Sequence, residues 1–224
     1  MIRQIAIVSI LLAYGGSIVH AADRKIEKTP AEIKSIYTMY IAEYTKWPDA
    51  ADEKKPAQRD ADKPFVIGIV GNDPNNIAEP FKQKIASISG MAINERNVEL
   101  IDLPELGTRQ METQVIEALE NCNLLFFSED SEAEWYELRA LLRNRPIMTV
   151  SELDGFASQG GIVEYEYDEA AQRMYMIFNM QAIKDSGLVV SDTLLNLKVV
   201  KTLLKTNKSR QDTLLIDAAR ESQP

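Results

Sequence analysis

The sequence predicts an α/β fold in three layers: a mostly parallel sheet, helices on both of its faces, and a C-terminal antiparallel hairpin at one edge. Apolar runs alternate with helical patterns between residues 65 and 150, which is typical of a parallel sheet covered by helices. The runs are apolar throughout, as in strands buried on both faces. Two further runs, 162–167 and 173–178, are joined by the short segment DEAAQ, which suits a hairpin.

Residues 1–21 have the features of a secretory signal peptide. Arg3 gives a basic start, and the apolar core from Ile5 to Tyr14 is too short for a membrane span, which needs about 20 apolar residues. Val19-His20-Ala21 fits a cleavage site. The alternative is an uncleaved anchor, but Gly15-Gly16-Ser17 interrupts the apolar run. We therefore expect export to the periplasm.

The mature chain is expected to form one domain over residues 22–204, followed by a polar tail over 205–224. Its first helix should begin at Pro30, with Thr29 and Glu32 as a capping box, and end at the Trp47-Pro48 pair. The charged segment 49–64 is predicted to be an exposed loop.

Strands and helices then alternate. Strands are predicted at 65–70, 98–103, 123–128 and 147–150, with helices at 78–88, 110–119 and 133–142 between them. After the hairpin, Asn179 should begin a short helix, and residues 191–204 should form another, with Ser191 as its cap. The tail beyond Lys205 is expected to fray.

Composition excludes several kinds of chemistry. His20 is the only histidine and leaves with the signal peptide, so catalysis by Ser-His-Asp or Cys-His groups is excluded. Removal of Arg3 takes the formal charge from −9 to −10, which disfavours binding to nucleic acids or anionic lipids.

The single cysteine, Cys122, cannot form a disulfide within the chain. It lies in the apolar run CNLLFFS, which predicts a small buried hydrophobic residue with little reactivity. The alternative is a covalent dimer through Cys122.

Acidic residues follow several predicted strands, at the edge where open α/β sheets bind ligands. They are Asp73, Asp102, Glu129, Asp130, Glu152 and Asp154. Such carboxylates could hold a cation, or Asp73 and Glu129 could serve a histidine-free hydrolase. They could equally cap the helices that follow. We favour capping, and so expect no enzyme, metal or cofactor; a small-ligand or metal-binding sensory domain stays the alternative.

The glycine-rich loop is predicted to be a bend. Gly155, Gly160 and Gly161 lack the spacing of a dinucleotide fingerprint. A strand follows them, so no helix N-terminus is present to hold a phosphate. Gly160 and Gly161 can take positive φ to turn the chain, and Phe156 should fill the core beneath.

The first helix also carries a candidate partner surface. Tyr37, Tyr40 and Tyr44 repeat at helical spacing and Trp47 follows them. Tyrosine and tryptophan are enriched at protein interfaces. The alternative is that the whole stripe packs in the core. The two interpretations are compatible if the isoleucines of the helix face the core and the tyrosines form the rim of a binding surface.

Five segments occur together in a familiar order. They are IKSIYTMYIAEYTKWP, FVIGIVGNDP, CNLLFFS, IMTVSELDGFASQGGIVEYEY and YMIFNMQAIKDSGLVVSDTLLNL. Over about residues 30 to 200 the chain resembles the YfiR family of exported regulatory domains. The positions on the family pattern are Trp47, Pro48, Gly68, Gly155, Phe156, Gly160, Gly161, Asn179 and Leu195. Most of them look structural.

The resemblance implies a periplasmic α/β domain without catalysis, often a homodimer. It implies a partner, the periplasmic sensor part of an inner-membrane diguanylate cyclase. Repression of that cyclase would link the chain to cyclic-di-GMP and biofilm formation. The chain departs from the best-known members in its cysteines, because Cys122 alone cannot form the disulfides that they carry.

Overall fold

The computed structural model describes residues 28–48, 63–87, 92–93, 96–103, 118–119 and 121–204. The predicted signal peptide, almost all of the predicted helix 110–119 and the predicted tail 205–224 lie outside these residues. The expectations about those segments therefore stay predictions.

Ten strands and five helices have defined bounds in the described chain, and residues 118, 119 and 121 are also helical. The strands are β1 (Thr45–Lys46), β2 (Phe65–Val70), β3 (Ala92–Ile93), β4 (Arg96–Asp102), β5 (Leu124–Phe127), β6 (Met148–Ser151), β7 (Val163–Asp168), β8 (Arg173–Asn179), β9 (Val189–Val190) and β10 (Val200–Leu203). The helices are α1 (Pro30–Glu43), α2 (Ala78–Ser87), α3 (Glu132–Leu142), α4 (Met180–Ser186) and α5 (Asp192–Leu195).

Eight of the strands form one mixed sheet in the order β10-β8-β7-β6-β5-β2-β4-β3. The five strands from β4 to β7 run parallel, β7 and β8 form the antiparallel hairpin, and β3 pairs antiparallel with β4. The predicted α/β fold is confirmed.

The end of the domain differs from the prediction. The helix predicted over 191–204 is wrong: α5 spans only Asp192–Leu195, and β10 pairs parallel with β8, with Val200 opposite Met176. The β7–β8 hairpin therefore follows the parallel strands in the sheet, as predicted. It does not form the edge of the sheet, because β10 pairs with β8 and is the edge strand. The segment Val199 to Leu203 is rich in β-branched residues, and the free edge of β8 offers them a hydrogen-bonding partner.

Each face of the sheet carries its own core. Along β5, Leu124 and Phe126 pack toward α1 and α2, whereas Leu125 and Phe127 pack toward α3. All four side chains are fully buried, and burying a side chain of this size stabilises a fold by about 1.5–3 kcal/mol. The continuous apolar runs thus encode a strand with both faces covered.

A second, two-stranded sheet fixes the end of α1. Thr45 and Lys46 in β1 pair antiparallel with Val190 and Val189 in β9, and the Ser191 N–H donates to the Tyr44 carbonyl at 2.9 Å. The first helix therefore ends at Glu43, before the Trp47-Pro48 pair, because the chain enters this small sheet.

Cys122 is buried in the core on the α3 side, as predicted. Burial raises the pKa of its thiol to about 12. We expect the native protein to resist an aromatic disulfide reagent at about pH 8, where an ordinary thiol with a pKa of about 8.5 reacts readily. Absorbance of the released thiolate, with and without guanidinium chloride, measures this; fast stoichiometric labelling of the native protein would contradict it.

Candidate functional site

Helix α1 is held rigidly against the sheet. The Thr29 hydroxyl accepts from the Glu32 N–H at 3.2 Å while the Glu32 carboxylate accepts from the Thr29 N–H at 2.7 Å, so the predicted capping box is confirmed. The Thr38 hydroxyl bonds the buried Tyr165 hydroxyl of β7 at 2.7 Å. Lys34 forms a largely buried ion pair with Glu152, which follows β6.

The outward side of α1 presents two tyrosines. Tyr40 is 43% exposed and Tyr44 is 39% exposed. Their rings pack edge to face, with centroids 6.5 Å apart. We call these two side chains the tyrosine face. Tyr37, one turn earlier, is half-buried; burial raises the pKa of its hydroxyl, and the charge of Arg173 on β8 opposes that rise.

Trp47 connects the end of α1 to the sheet. Its indole N–H donates to the Asn123 carbonyl at 3.2 Å, and its ring packs edge to face on Phe65 at 5.1 Å between centroids. The Asn123 side-chain oxygen in turn accepts from the Val66 N–H at 3.0 Å. Of the four residues predicted to bind a partner, Tyr40 and Tyr44 are therefore exposed, while Tyr37 and Trp47 are half-buried.

The glycine-rich loop wraps around a carboxylate of the chain itself. Glu164, on β7 and only 9% exposed, accepts from the Gly155 N–H at 3.0 Å and from the Ala157 N–H at 2.9 Å. The loop does cradle an anion, but that anion is an internal side chain. Charge-assisted hydrogen bonds of this kind are stronger than neutral ones.

The loop also carries an aromatic plug. Phe156 is fully buried, as predicted, and its ring lies 4.3 Å from that of Trp135 and 5.6 Å from that of Phe127. Gly160 adopts a φ of 107°, but Gly161 does not have positive φ, which corrects that part of the bend prediction. A Cβ on Gly161 would lie 2.1 Å from the Phe156 ring. Glycine is therefore needed at this position because no side chain fits there.

Asn179 joins the loop to the hairpin and α4. Its side-chain oxygen accepts from the Gln181 and Ala182 N–H groups and caps α4, while its amide donates to the Ala157 carbonyl at 2.7 Å. The loop therefore contacts both strands of the hairpin region.

The other positions of the family pattern lie at close packing contacts. Gly68 leaves space for the side chains of Leu125 and Cys122. A Cβ at this position would lie only 2.9 Å and 3.1 Å from them, which is too close. Pro48 lies close to Gly187, and Leu195 packs against the main core.

Four of the six acidic residues at the strand ends, Asp73, Glu129, Asp130 and Glu152, form internal bonds. Asp73 accepts from the Ile77 and Ala78 N–H groups at the start of α2, as the capping hypothesis predicts. The Ser128 hydroxyl and Asn72 hold the pKa of Asp130 below its usual value. Within the described residues, no group of three or more acidic, cysteine or histidine side chains is arranged to hold a metal ion.

Two residues that organise this region escaped the sequence reading. Glu164 lies in the strand VEYEYD, shortly after the glycine-rich loop. A buried carboxylate needs donors, and the backbone N–H groups of a nearby loop can supply them, so this closeness in sequence was the available signal. Asn123 had no such signal, because only the fold brings Trp47, Val66 and Arg96 to its two oxygens.

The chain belongs to the YfiR/HmsC-like family. The model of that family matches residues 31–198, which contain α1, the glycine loop and the hairpin. No curated protein matches the chain. In the part of the chain described here, no helix is both long and apolar enough to cross a bilayer. Membership of this family supports a general role for the chain as a periplasmic regulator of diguanylate cyclase signalling.

Glu164→Gln tests the internal cradle. The substitution keeps the size of the side chain but places an amide against two buried N–H donors, so we expect the free energy of unfolding to fall by about 2–4 kcal/mol. Guanidinium denaturation followed by tryptophan fluorescence measures the loss.

Glu166→Gln is the matched control on the same strand. Glu166 is exposed and pairs with Lys201 at 2.6 Å, and an exposed pair contributes only about 0–1 kcal/mol. Equal stabilities of the two variants would contradict the cradle.

Proposed function

We propose that this chain is exported through cleavage of residues 1–21 and binds the periplasmic sensor part of an inner-membrane diguanylate cyclase. Binding represses the cyclase, lowers cyclic-di-GMP and so limits biofilm formation. Membership of the YfiR/HmsC-like family over residues 31–198 supports the general role. The absence of histidine after residue 20 supports regulation without acid–base catalysis.

The tyrosine face is the proposed docking surface, and its exposure is the observation that carries this assignment. Two large rings are exposed here: Tyr40 lies in the last turn of a 14-residue helix, and Tyr44 is the C-cap residue that follows it. Tyrosine combines a large apolar ring with a polar hydroxyl and is frequent among residues that dominate binding energy. Exposed Glu43 and Lys46 flank the pair and provide the polar rim that typical interfaces have.

The rigidity of α1 favours such a surface. The helix is fixed to the sheet by the Lys34–Glu152 ion pair, and the segment after it by the bond from Trp47 to Asn123. A surface that is already ordered loses little conformational entropy on binding, so more of the contact energy appears as affinity. In this proposal Tyr37 and Trp47 position the two exposed rings and contribute less direct contact.

Replacing Tyr40 and Tyr44 together by alanine tests the docking surface. Truncation of two central aromatic residues typically costs about 2–4 kcal/mol of binding, so we expect affinity to fall by about 30-fold or more. The measurement is titration calorimetry with the purified periplasmic domain of a diguanylate cyclase encoded in the same genome. The unfolding midpoint should change little, since both rings are exposed.

Tyr136→Ala is the matched control, because Tyr136 is an exposed tyrosine on α3, on the other side of the sheet. It should bind with unchanged affinity. Undiminished binding by the Tyr40/Tyr44 variant would refute the surface. Failure of the wild-type chain to bind or inhibit any such cyclase would refute the function itself. The homodimer implied by the family resemblance is a separate prediction that sedimentation velocity checks.

A further inference from the structure

A cavity of about 690 Å³ lies beside α3. It is bordered by the end of α3, the glycine-rich loop, α4 and the end of β10. Ile147 and Thr149 belong to its wall, so it lies near the amino end of β6. Cavities of about 300–1,000 Å³ are the usual size for small-molecule sites.

The wall of this cavity contains two side chains with unmet hydrogen-bonding capacity. Trp135 is only 2% exposed, and its indole N–H has no partner within the described chain. The side-chain oxygen of Gln159 is also buried without a partner. An unsatisfied buried polar group costs about 1–3 kcal/mol, so each needs an explanation. The indole N–H of Trp47, by contrast, is bonded to the Asn123 carbonyl.

Two guanidinium groups meet at the same cavity. Arg139 and Arg143 come from the end of α3 and line the cavity, and both are exposed. Neither takes part in an ion pair among the described residues. Arg139 lies over the ring of Tyr136 at 4.6 Å, which leaves the edges of its guanidinium free to bond. On the opposite wall, Asp185 already accepts from the Gln181 amide at 2.6 Å.

These groups favour an anion with an apolar body. The C-terminus of a helix favours positive charge in general, but that effect does not explain why both guanidinium groups border one cavity. The two arginines exceed Asp185 by one positive charge (2 − 1 = 1) in a chain of net charge −9. Guanidinium groups bind carboxylates through paired, charge-assisted bonds. Ile162 and Leu203 supply apolar wall.

We propose that this cavity binds a small organic carboxylate. The carboxylate lies between Arg139 and Arg143, and the carbon skeleton packs on Ile162 and Leu203. Trp135 belongs to the same wall, so its indole signal reports an occupied cavity by proximity. Gln159 and Gly160 of the cavity wall belong to the loop that Glu164 organises, so an occupied cavity also stabilises that loop. This inference does not depend on the cyclase partner.

The two tryptophans allow a direct test by nuclear magnetic resonance. The probe is hexanoate, titrated into the ¹⁵N-labelled chain, with the indole N–H signals of Trp135 and Trp47 as readouts. A Trp135→Phe variant assigns the signals. We expect a saturable shift of the Trp135 signal, because Trp135 lines the cavity, whereas the Trp47 signal should stay in place, because Trp47 does not line it.

The double variant R139Q/R143Q should weaken hexanoate binding by about tenfold or more, since bonds to charged groups contribute about 1.5–3 kcal/mol. R173Q, which removes an exposed arginine elsewhere on β8, should bind hexanoate like the wild type. Inorganic phosphate tests charge alone and 1-hexanol tests the apolar body alone, and each should bind more weakly than hexanoate.

Three outcomes would overturn the proposal. The first is no saturable shift of the Trp135 signal up to the solubility limit of hexanoate. The second is unchanged hexanoate affinity in R139Q/R143Q while its amide spectrum remains that of the folded wild type. The third is binding of 1-hexanol or phosphate as tight as that of hexanoate, which would show that the cavity does not recognise the carboxylate.

Discussion

The pair of hydrogen bonds that the buried Glu164 carboxylate accepts from Gly155 and Ala157 organises one side of this molecule. A carboxylate loses its water when buried, and only donors at hydrogen-bonding distance offset that cost. The loop supplies those donors, and it is thereby fixed over the sheet. Phe156 is then held against Trp135, and Asn179 can reach the Ala157 carbonyl. The bend, the Phe156 ring and the cap of α4 thus lie around one buried carboxylate.

A second buried charge organises the opposite layer. Glu152, which follows β6, pairs with Lys34 of α1 and accepts from the Glu129 N–H at 3.1 Å. The strand ends are thereby connected to the helix that carries the tyrosine face. The two proposed binding sites consequently lie on different layers of the sheet: the tyrosine face on the α1 layer and the arginine-lined cavity on the α3 layer. Asp73, Glu152 and Glu164 are bonded to groups of the chain itself and so act as structural anchors.

Local signals in the sequence were sufficient where one element alone sets the structure. The capping box places the start of α1 at Pro30, because its two hydrogen bonds involve residues three apart. Continuous apolar runs place β2 and β5, because only a strand covered on both faces needs them. Local signals failed for residues 191–204. The run from Val199 to Leu203 suits either a helix or a strand, and the free edge of β8 decides between them. The β1–β9 sheet was missed for the same reason.

The sequence by itself therefore determined the layered α/β architecture, the ends of several elements and the burial of Cys122, since these follow from periodicity and composition. Tertiary structure decided which polar groups meet. Glu164 accepts hydrogen bonds from the loop, and Trp47 donates one to Asn123. Arg139 and Arg143 line a cavity whose wall also contains the unpartnered indole of Trp135. The physical reason is that a hydrogen bond or an ion pair depends on distances of a few ångströms between residues far apart in the chain, and no local pattern records those distances.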